Sequence, residues 1–463
     1  MTQTPSAERM ARFTTPMPSV RERMAAGKAL RAQVPHEQHA RYEPAPKRKD
    51  PVAILEEQAK TRLQNLVPIR YARMLASPFA FLRGSAAVMA ADLAPTPVTG
   101  LTVQACGDMH VANFGFFASA ERNLVFGIND FDETLPGAWE WDLKRLAASA
   151  FVAVRAMGAD KVLCEDAARA AVRSYRKRMR EYADMNTLDV WYARIDEPGI
   201  MAALPPDVQK LTARVIAKAR QRGHTQVLEK MAELVDSQHR IVEDAPLIVR
   251  ETHTPDGQPI GEALAHALDI YFNSLPEDRK PLLARYRVVD VARKVVGVGS
   301  VGTRCWVVLM RGNSDDDPLF LQYKEAQPSV LAPYAKASHW KCEGQRVVVG
   351  QRIIQGAPDI FLGWGIAPNG VHFYVRQLRD MKGGAEFDPK NVRSQPDYCK
   401  LCGWALALAH AKSGDPAAIA GYLGRSDGMD EAIARFAFTY AEQTERDFDA
   451  LAKAARAKRI RVA

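Results

Sequence analysis

The sequence predicts an α+β chain, a mainly helical body interrupted by one β-rich segment. Two observations carry this. Apolar residues recur at helical spacing over Pro51–Met89, 141–158, 160–185 and after Gly384. Around residue 285 the texture changes to β-branched and aromatic runs. Arg287–Val296, Thr303–Met310 and Leu319–Glu325 are separated by Gly-rich or Asp-rich turns, as in an antiparallel meander. In chain order, residues 1–50 form a basic arm with little periodicity, expected to be loose. Residues 51–284 form the first part of a helical lobe, in which Pro78–Ser85 reads as an aromatic turn. Leu101–Cys106 and Leu124–Asn129 read as short strands, Gln209–Gln238 as a charged helix and Ile241–Glu251 as strand-like. Residues 285–384 form the β-rich lobe, with a helix expected over Ala332–Gln355 and strands near Ile360–Trp364 and His372–Gln377. Residues 385–463 complete the helical part and end in a basic tail.

Length and composition set the class. A chain of 463 residues suggests two or three packed units. Hydrophobic residues make up 47% and charged residues 25%, ordinary for a soluble globular protein. No apolar run reaches the length of a membrane span, and no apolar run follows the first charges as in a secretory signal, so the expected compartment is the cytoplasm. The net charge is +9, but residues 1–50 and 451–463 each carry about +5 and the body is close to neutral. A basic excess confined to the ends argues against a nucleic-acid surface. The six cysteines are scattered, which fits reduced thiols; Cys399 and Cys402 form a C-x-x-C inside an apolar helical pattern and read as packing residues ahead of zinc or redox chemistry.

The chemistry concentrates in two polar loops. One strand ends at Cys106, with Asp108 and then Asn113 after it; another ends at Asn129, with Asp130 after it. Phosphoryl transfer needs an Asp to orient or deprotonate the acceptor hydroxyl, and oxygen ligands from an Asn and a second Asp to hold Mg²⁺ on the phosphates. Each residue alone is an ordinary turn former at a strand end. The set D-x4-N, strand, D-F-D is harder to explain by turns. Two roles stay open for Asp132, metal ligand or helix cap. His110 reads as a loop-orienting residue ahead of a base. Asp142 opens a helix, as an N-cap or as a buried brace beneath the Asp108 loop.

The second motif is Gly297-Val298-Gly299-Ser300-Val301-Gly302. A dinucleotide-binding turn requires a helix directly after the glycines, whereas Thr303–Leu309 reads as strand. A strand–glycine loop–strand hairpin is the kinase arrangement, in which backbone N–H groups cover the phosphates; an ordinary glycine hairpin is the plain alternative. Lys324, near the end of a strand about 22 residues further on, fits a phosphate contact. Glu343 is the first choice for its acidic partner, with Gln345 and Glu325 as rivals.

In ordinary kinases the glycine loop and lysine precede the catalytic loop; here they follow it. A later catalytic loop at Asp415 fails, because Ala420 stands where the metal-binding amide belongs. Circular permutation resolves the order: the helix at 396–412 takes the place of the one that leads into the catalytic loop, and the N-terminal half supplies the loop itself.

Gly107-Asp108-Met109-His110 with Asn113, then Ile128–Asp132, then Trp141-Asp142-Leu143, resemble the aminoglycoside and choline phosphotransferase branch of the protein-kinase-like superfamily. Together with Ser77–Gly84, Asn129–Thr134 and Arg346–Arg352, they look more closely like an uncharacterised bacterial family defined only as a domain of unknown function, over roughly residues 50–460. The kinase-like resemblance implies a two-lobed, circularly permuted fold using ATP and Mg²⁺, with Asp108 catalytic, Asn113 and Asp130 on the metal and Lys324 on phosphate. Gly107 stands where protein kinases carry an arginine, which points to a small-molecule acceptor. Nucleotidyl transfer of AMP and nucleotide binding without turnover are the competing expectations. The acceptor and the oligomeric state are not legible.

Overall fold

The computed structural model describes residues 10–11, 13–221, 224–235, 238–378, 383–384 and 387–463. Four long helices, Trp139–Ala156, Lys161–Asp184, Gln395–Ser413 and Gly428–Arg456, pack on one another and form the main core. Their contact faces are rich in Ala and Leu, which form helix at little entropic cost and allow close approach. Cys399 and Cys402 are buried free thiols in this packing, and burial pushes Cys399 up to about 12. Among the described residues, no helix is long and apolar enough to cross a membrane.

The strands, in chain order, are β1 Thr102–Ala105, β2 Phe114–Ala118, β3 Leu124–Ile128, β4 Leu135–Ala138, β5 Ile195–Asp196, β6 Ala232–Val235, β7 Gln238–Ile241, β8 Ile248–Val249, β9 Arg287–Lys294, β10 Cys305–Arg311, β11 Pro318–Glu325, β12 Gly363–Ile366 and β13 His372–Gln377. Among the described residues, the largest sheet is antiparallel with order β12-β13-β11-β10-β9-β8. The expected meander is β9–β10–β11. Its register sets Lys324 between Cys305 on one side and Tyr374 on the other. Helix Ile260–Ser274 covers one face, with Tyr271 packed against Tyr323.

Several elements differ from expectation. Pro78–Gly84 is a helix, begun by Ser77, whose hydroxyl accepts from Ala80 N, with Pro78 in the first turn. The helix expected over Ala332–Gln355 is confined to Glu343–Ile354; Pro333 lacks an N–H, and turns at Ser329–Ala332 and Leu331–Ala335 use the preceding backbone. The strand-like run Ile241–Glu251 is split: β7 ends at Ile241, and only Ile248–Val249 reaches the sheet. The helix expected to Gln238 breaks into Pro206–Gln221 and His224–Met231, and the chain then enters β6; residues 222, 223, 236 and 237 lie outside the described ones. β2 and β4 were not anticipated, the latter because Pro136 and Gly137 are poor strand formers.

The arm is packed from Val20 onward. Helix Val20–Ala29 opens with a Ser19–Glu22 capping box. It lies so close to helix Pro416–Leu423 that a Cβ on Gly27 would sit 1.9 Å from Ala418 O, and one on Gly421 would sit 2.1 Å from Met24 O. Contact through backbone leaves no apolar stripe in the sequence, so the segment read as loose. Charges pin it further: Arg48 pairs with Asp92 at 2.6 Å and Asp447 at 2.5 Å, and Arg459 in the basic tail pairs with Asp50 at 2.7 Å and Glu56 at 2.6 Å.

His39 is fully buried in this packing, with Nε2 2.6 Å from the Tyr422 hydroxyl. Burial, with Lys144 and His36 nearby, pulls it down to about 3. The unfolded chain therefore binds the extra proton first as pH falls through the unperturbed value near 6.5. Stability is present above that value and is lost below it, at up to about 1.4 kcal/mol per pH unit for one such group. His39→Gln should show a shallower loss of stability than the wild type between pH 6.5 and 5, read by urea unfolding at each pH. Equal slopes would remove His39 from the account.

Candidate functional site

The loop after β1 is shaped by a left-handed turn at Gly107, φ +77°, where any Cβ would lie 2.7 Å from Glu133 O. The N–H groups of Cys106 and Gly107 both donate to the Asp142 carboxylate, at 2.6 and 2.9 Å. Asp142 lies in the first turn of helix Trp139–Ala156, whose N-cap is Ala138, and is buried. His410 Nε2 is 3.3 Å from the same carboxylate, and Tyr175 OH is 2.8 Å from His410 Nδ1. Tyr398 on the same helix as His410 donates to Val111 O at 2.8 Å and Phe114 O at 3.1 Å. Helix Gln395–Ser413 thus grips the loop at both ends.

One turn beyond Asp142, Arg145 points its guanidinium at Asp108: Nε lies 2.9 Å from Oδ1, and Nη2 also bonds that oxygen. The other oxygen, Oδ2, is 3.9 Å from His110 Nε2. Burial holds His110 down to about 3, against the pull of Asp108, so it is a neutral ring at neutral pH. Asn113 donates to Asp108 O at 2.6 Å, and Asn129 N donates to Asn113 O at 2.8 Å, which ties the two loops together.

Beyond β3, Asp130 stands 3.7 Å from Lys324 Nζ. Asp132 is a hub. Lys324 Nζ forms an ion pair with Oδ2, Ser300 Oγ donates to Oδ2 at 3.3 Å, and Tyr374 OH donates to Oδ1 at 2.6 Å. Burial alone would lower the Lys324 ammonium; Asp130 and Asp132 outweigh it and raise it above its ordinary value. Burial pushes Glu133 up to about 7; its carboxylate accepts from Val330 N at 2.7 Å.

The glycine loop joins β9 to β10 as a hairpin. Gly297, Val298, Gly299 and Ser300 line one polar cleft together with Asp108, His110, Asn113, Asp130 and Asp132, with an open volume of about 880 Å³. Gly302, φ +90°, is behind it, its carbonyl accepting from Leu63 N at 2.8 Å. Glu343 does not meet Lys324. It bonds Arg346 Nε at 2.5 Å, while Glu325 accepts from Arg304 N at 2.9 Å. Arg346, almost fully buried, ties helix Glu343–Ile354 to the segments after β3 and β11 by donating to Thr134 O, Asp132 O and Gln327 O at 2.6, 2.9 and 2.8 Å.

Among the described residues no three carboxylate, imidazole or thiol groups form a preformed metal cage. Magnesium that keeps water and phosphate ligands needs only one or two carboxylates; Asp130 and Asn113, which line the same cleft, carry oxygens of that kind. Sequence reasoning missed Arg145; it also missed Arg62, Arg70 and Arg83, which line the cleft from the helical segment before β1. The only local signal for Arg145 was its position three residues after Asp142.

A family model described as "Uncharacterized protein conserved in bacteria (DUF2252)" matches residues 62–454. No curated protein and no solved structure matches the chain.

Proposed function

The chain belongs to the DUF2252 family, whose description carries no activity, and we propose that it is a Mg-ATP-dependent phosphotransferase of circularly permuted, protein-kinase-like fold, acting on a hydroxyl of a small-molecule acceptor. One observation carries the reading: the glycine loop 297–300 and the loop residues Asp108, Asn113 and Asp130 share one cleft, and Lys324 reaches Asp130 and Asp132 from β11. A glycine hairpin, a lysine on the third strand of the meander and a helix after it are the nucleotide-covering parts of a kinase. The grip of helix Gln395–Ser413 on the Asp108 loop supports the permuted order.

In this reading the glycine-loop N–H groups and Lys324 hold the phosphates. Asp130 and Asn113 would hold magnesium, which supplies charge neutralisation on the phosphate oxygens. Asp108, fixed through one oxygen by Arg145, presents the other to the acceptor hydroxyl and takes its proton as the phosphoryl group is transferred. Gain comes mainly from positioning and electrostatics.

Incubation with ATP labelled at either end tests the reaction. Label from the γ position is expected in the product. Label from the α position would establish AMP transfer instead, and Mg-ATP binding without product from any acceptor would leave a nucleotide-binding module. Asp130→Ala should lower Mg-ATP affinity by at least about tenfold, the scale of one charge-assisted contact, with metal-free ATP affinity unchanged by calorimetry. Unaltered Mg-ATP affinity would end the metal role of Asp130.

A further inference from the structure

Three arginines on the cleft wall have no part in the reaction as described. Arg62 follows helix Pro51–Ala59, Arg70 lies in helix Val67–Met74, and Arg83 lies in helix Pro78–Gly84. All three line the cleft with Gly297–Ser300 and Asp108. Among the described residues none of them is ion-paired with a carboxylate, unlike Arg48 with Asp92 or Arg176 with Asp430.

Arg70 is 1% exposed. Its Nη2 donates to Gln58 Oε1 and Gly84 O, both at 3.0 Å, while Nε and Nη1 have no acceptor. Arg62 is 9% exposed; Nη1 donates to Val301 O at 2.6 Å, and Nε has no acceptor. Arg83 Nε is likewise without one, its guanidinium resting 5.8 Å from the Phe79 ring centre. A buried cation without a close counter-charge is costly, and its empty donors favour an anion placed against them. Glu133, Glu325 and Asp132 act on Arg62, and Asp108 on Arg83, only from beyond ion-pair distance, and Arg70 has no carboxylate among its charged neighbours. The burial pulls Arg70 down to about 9, with Arg62 adding to the effect. The glycine loop closes the same space: a Cβ on Gly299 would lie 3.3 Å from Arg83 O, and Leu63 N holds Gly302 O at 2.8 Å.

We propose that Arg62, Arg70 and Arg83 form a phosphate subsite beside the tip of the glycine loop. Planar guanidinium forks suit the several oxygens of a phosphate dianion better than a single point charge does. The phosphate comes from one of two sources, the terminal group of the nucleotide or a phosphate already on the acceptor. The second source narrows the acceptor to phosphorylated hydroxyl compounds and rests on the phosphotransferase reading. The subsite itself does not, because phosphate binding requires no turnover.

The test is calorimetric titration of the full chain with inorganic phosphate, without metal or nucleotide. Saturable one-to-one binding is expected, weakened about 10- to 100-fold in Arg83→Met and in Arg62→Met, the scale of one lost charge-assisted hydrogen bond. Among the described residues the Arg83 side chain makes no hydrogen bond, so the thermal midpoint of Arg83→Met should stay near that of the wild type and a loss of binding can be read directly. A wild type that does not bind phosphate, or an Arg83→Met and Arg62→Met pair that binds it normally, would overturn the proposal. Repeating the titration with saturating ATP separates the sources: competition assigns the subsite to the nucleotide, and simultaneous binding assigns it to the acceptor. A chain that binds phosphate through these arginines but transfers no label would sink the phosphotransferase reading and leave the subsite standing.

Discussion

Asp108→Asn should reduce phosphoryl transfer by about 10²- to 10⁴-fold, the contribution of a positioned general base, while Mg-ATP affinity changes little. The geometry makes this substitution informative. Arg145 holds Oδ1, and an asparagine oxygen can keep that bond, whereas Oδ2 becomes an amide that cannot take a proton. The backbone around the site does not depend on the Asp108 side chain, because Asp142 holds the N–H groups of Cys106 and Gly107, and Tyr398 holds the carbonyls of Val111 and Phe114. Arg145 also keeps its bond to Leu82 O at 2.9 Å, so it is not left without partners. Kinetics with saturating ATP and any acceptor that yields γ-label transfer would check the result. An Asp108→Asn protein that turns over at the wild-type rate would show that another group moves the proton.

The parts of the site that were legible in the sequence are those whose signal is local. β9, β10 and β11 read as strands because their side chains are β-branched or aromatic and their turns carry glycine and aspartate. Asp108, Asn113 and Asp130 stood out because each follows a strand end. The arginines did not, since what distinguishes Arg62, Arg70 and Arg83 is the cleft they line, and Arg145 the carboxylate it holds, and no spacing rule encodes either. Glu343 was chosen as the acid of an expected long helix, but that helix begins at Glu343 itself and Arg346 one turn on takes the carboxylate. The arm of residues 20–50 hid for another reason: its helix meets Pro416–Leu423 through glycines, where backbone approach replaces an apolar stripe. Ser300 and Asp132 are 168 positions apart in the chain, and the link between them is visible only in three dimensions.

Lys324→Met is expected to cost about 3 kcal/mol of stability, the low end for breaking a buried pair because Asp130 and Asp132 remain partly open to solvent. The ammonium is 2% exposed and faces both carboxylates, so its removal takes a positive charge from beside Asp130 and Asp132; Arg376 lies near both, and the hydroxyls of Tyr374 and Ser300 donate to Asp132. Two consequences separate this charge effect from a simple loss of packing. First, Lys324→Met combined with Asp132→Asn should be more stable than Lys324→Met alone, since the second change removes the uncompensated charge; in a double-mutant cycle the coupling should exceed about 1 kcal/mol, well above the additivity of independent sites. Second, millimolar Mg²⁺ should raise the unfolding midpoint of Lys324→Met by more than it raises that of the wild type, because a divalent cation can take the place of the missing ammonium between the carboxylates. Chemical unfolding of the four proteins with and without Mg²⁺ measures both. Additive costs and equal responses to magnesium would mean that Lys324 is a packed strand residue and that Asp130 and Asp132 do not form a cation site, and the proposed metal ligand would then have to be sought elsewhere in the cleft.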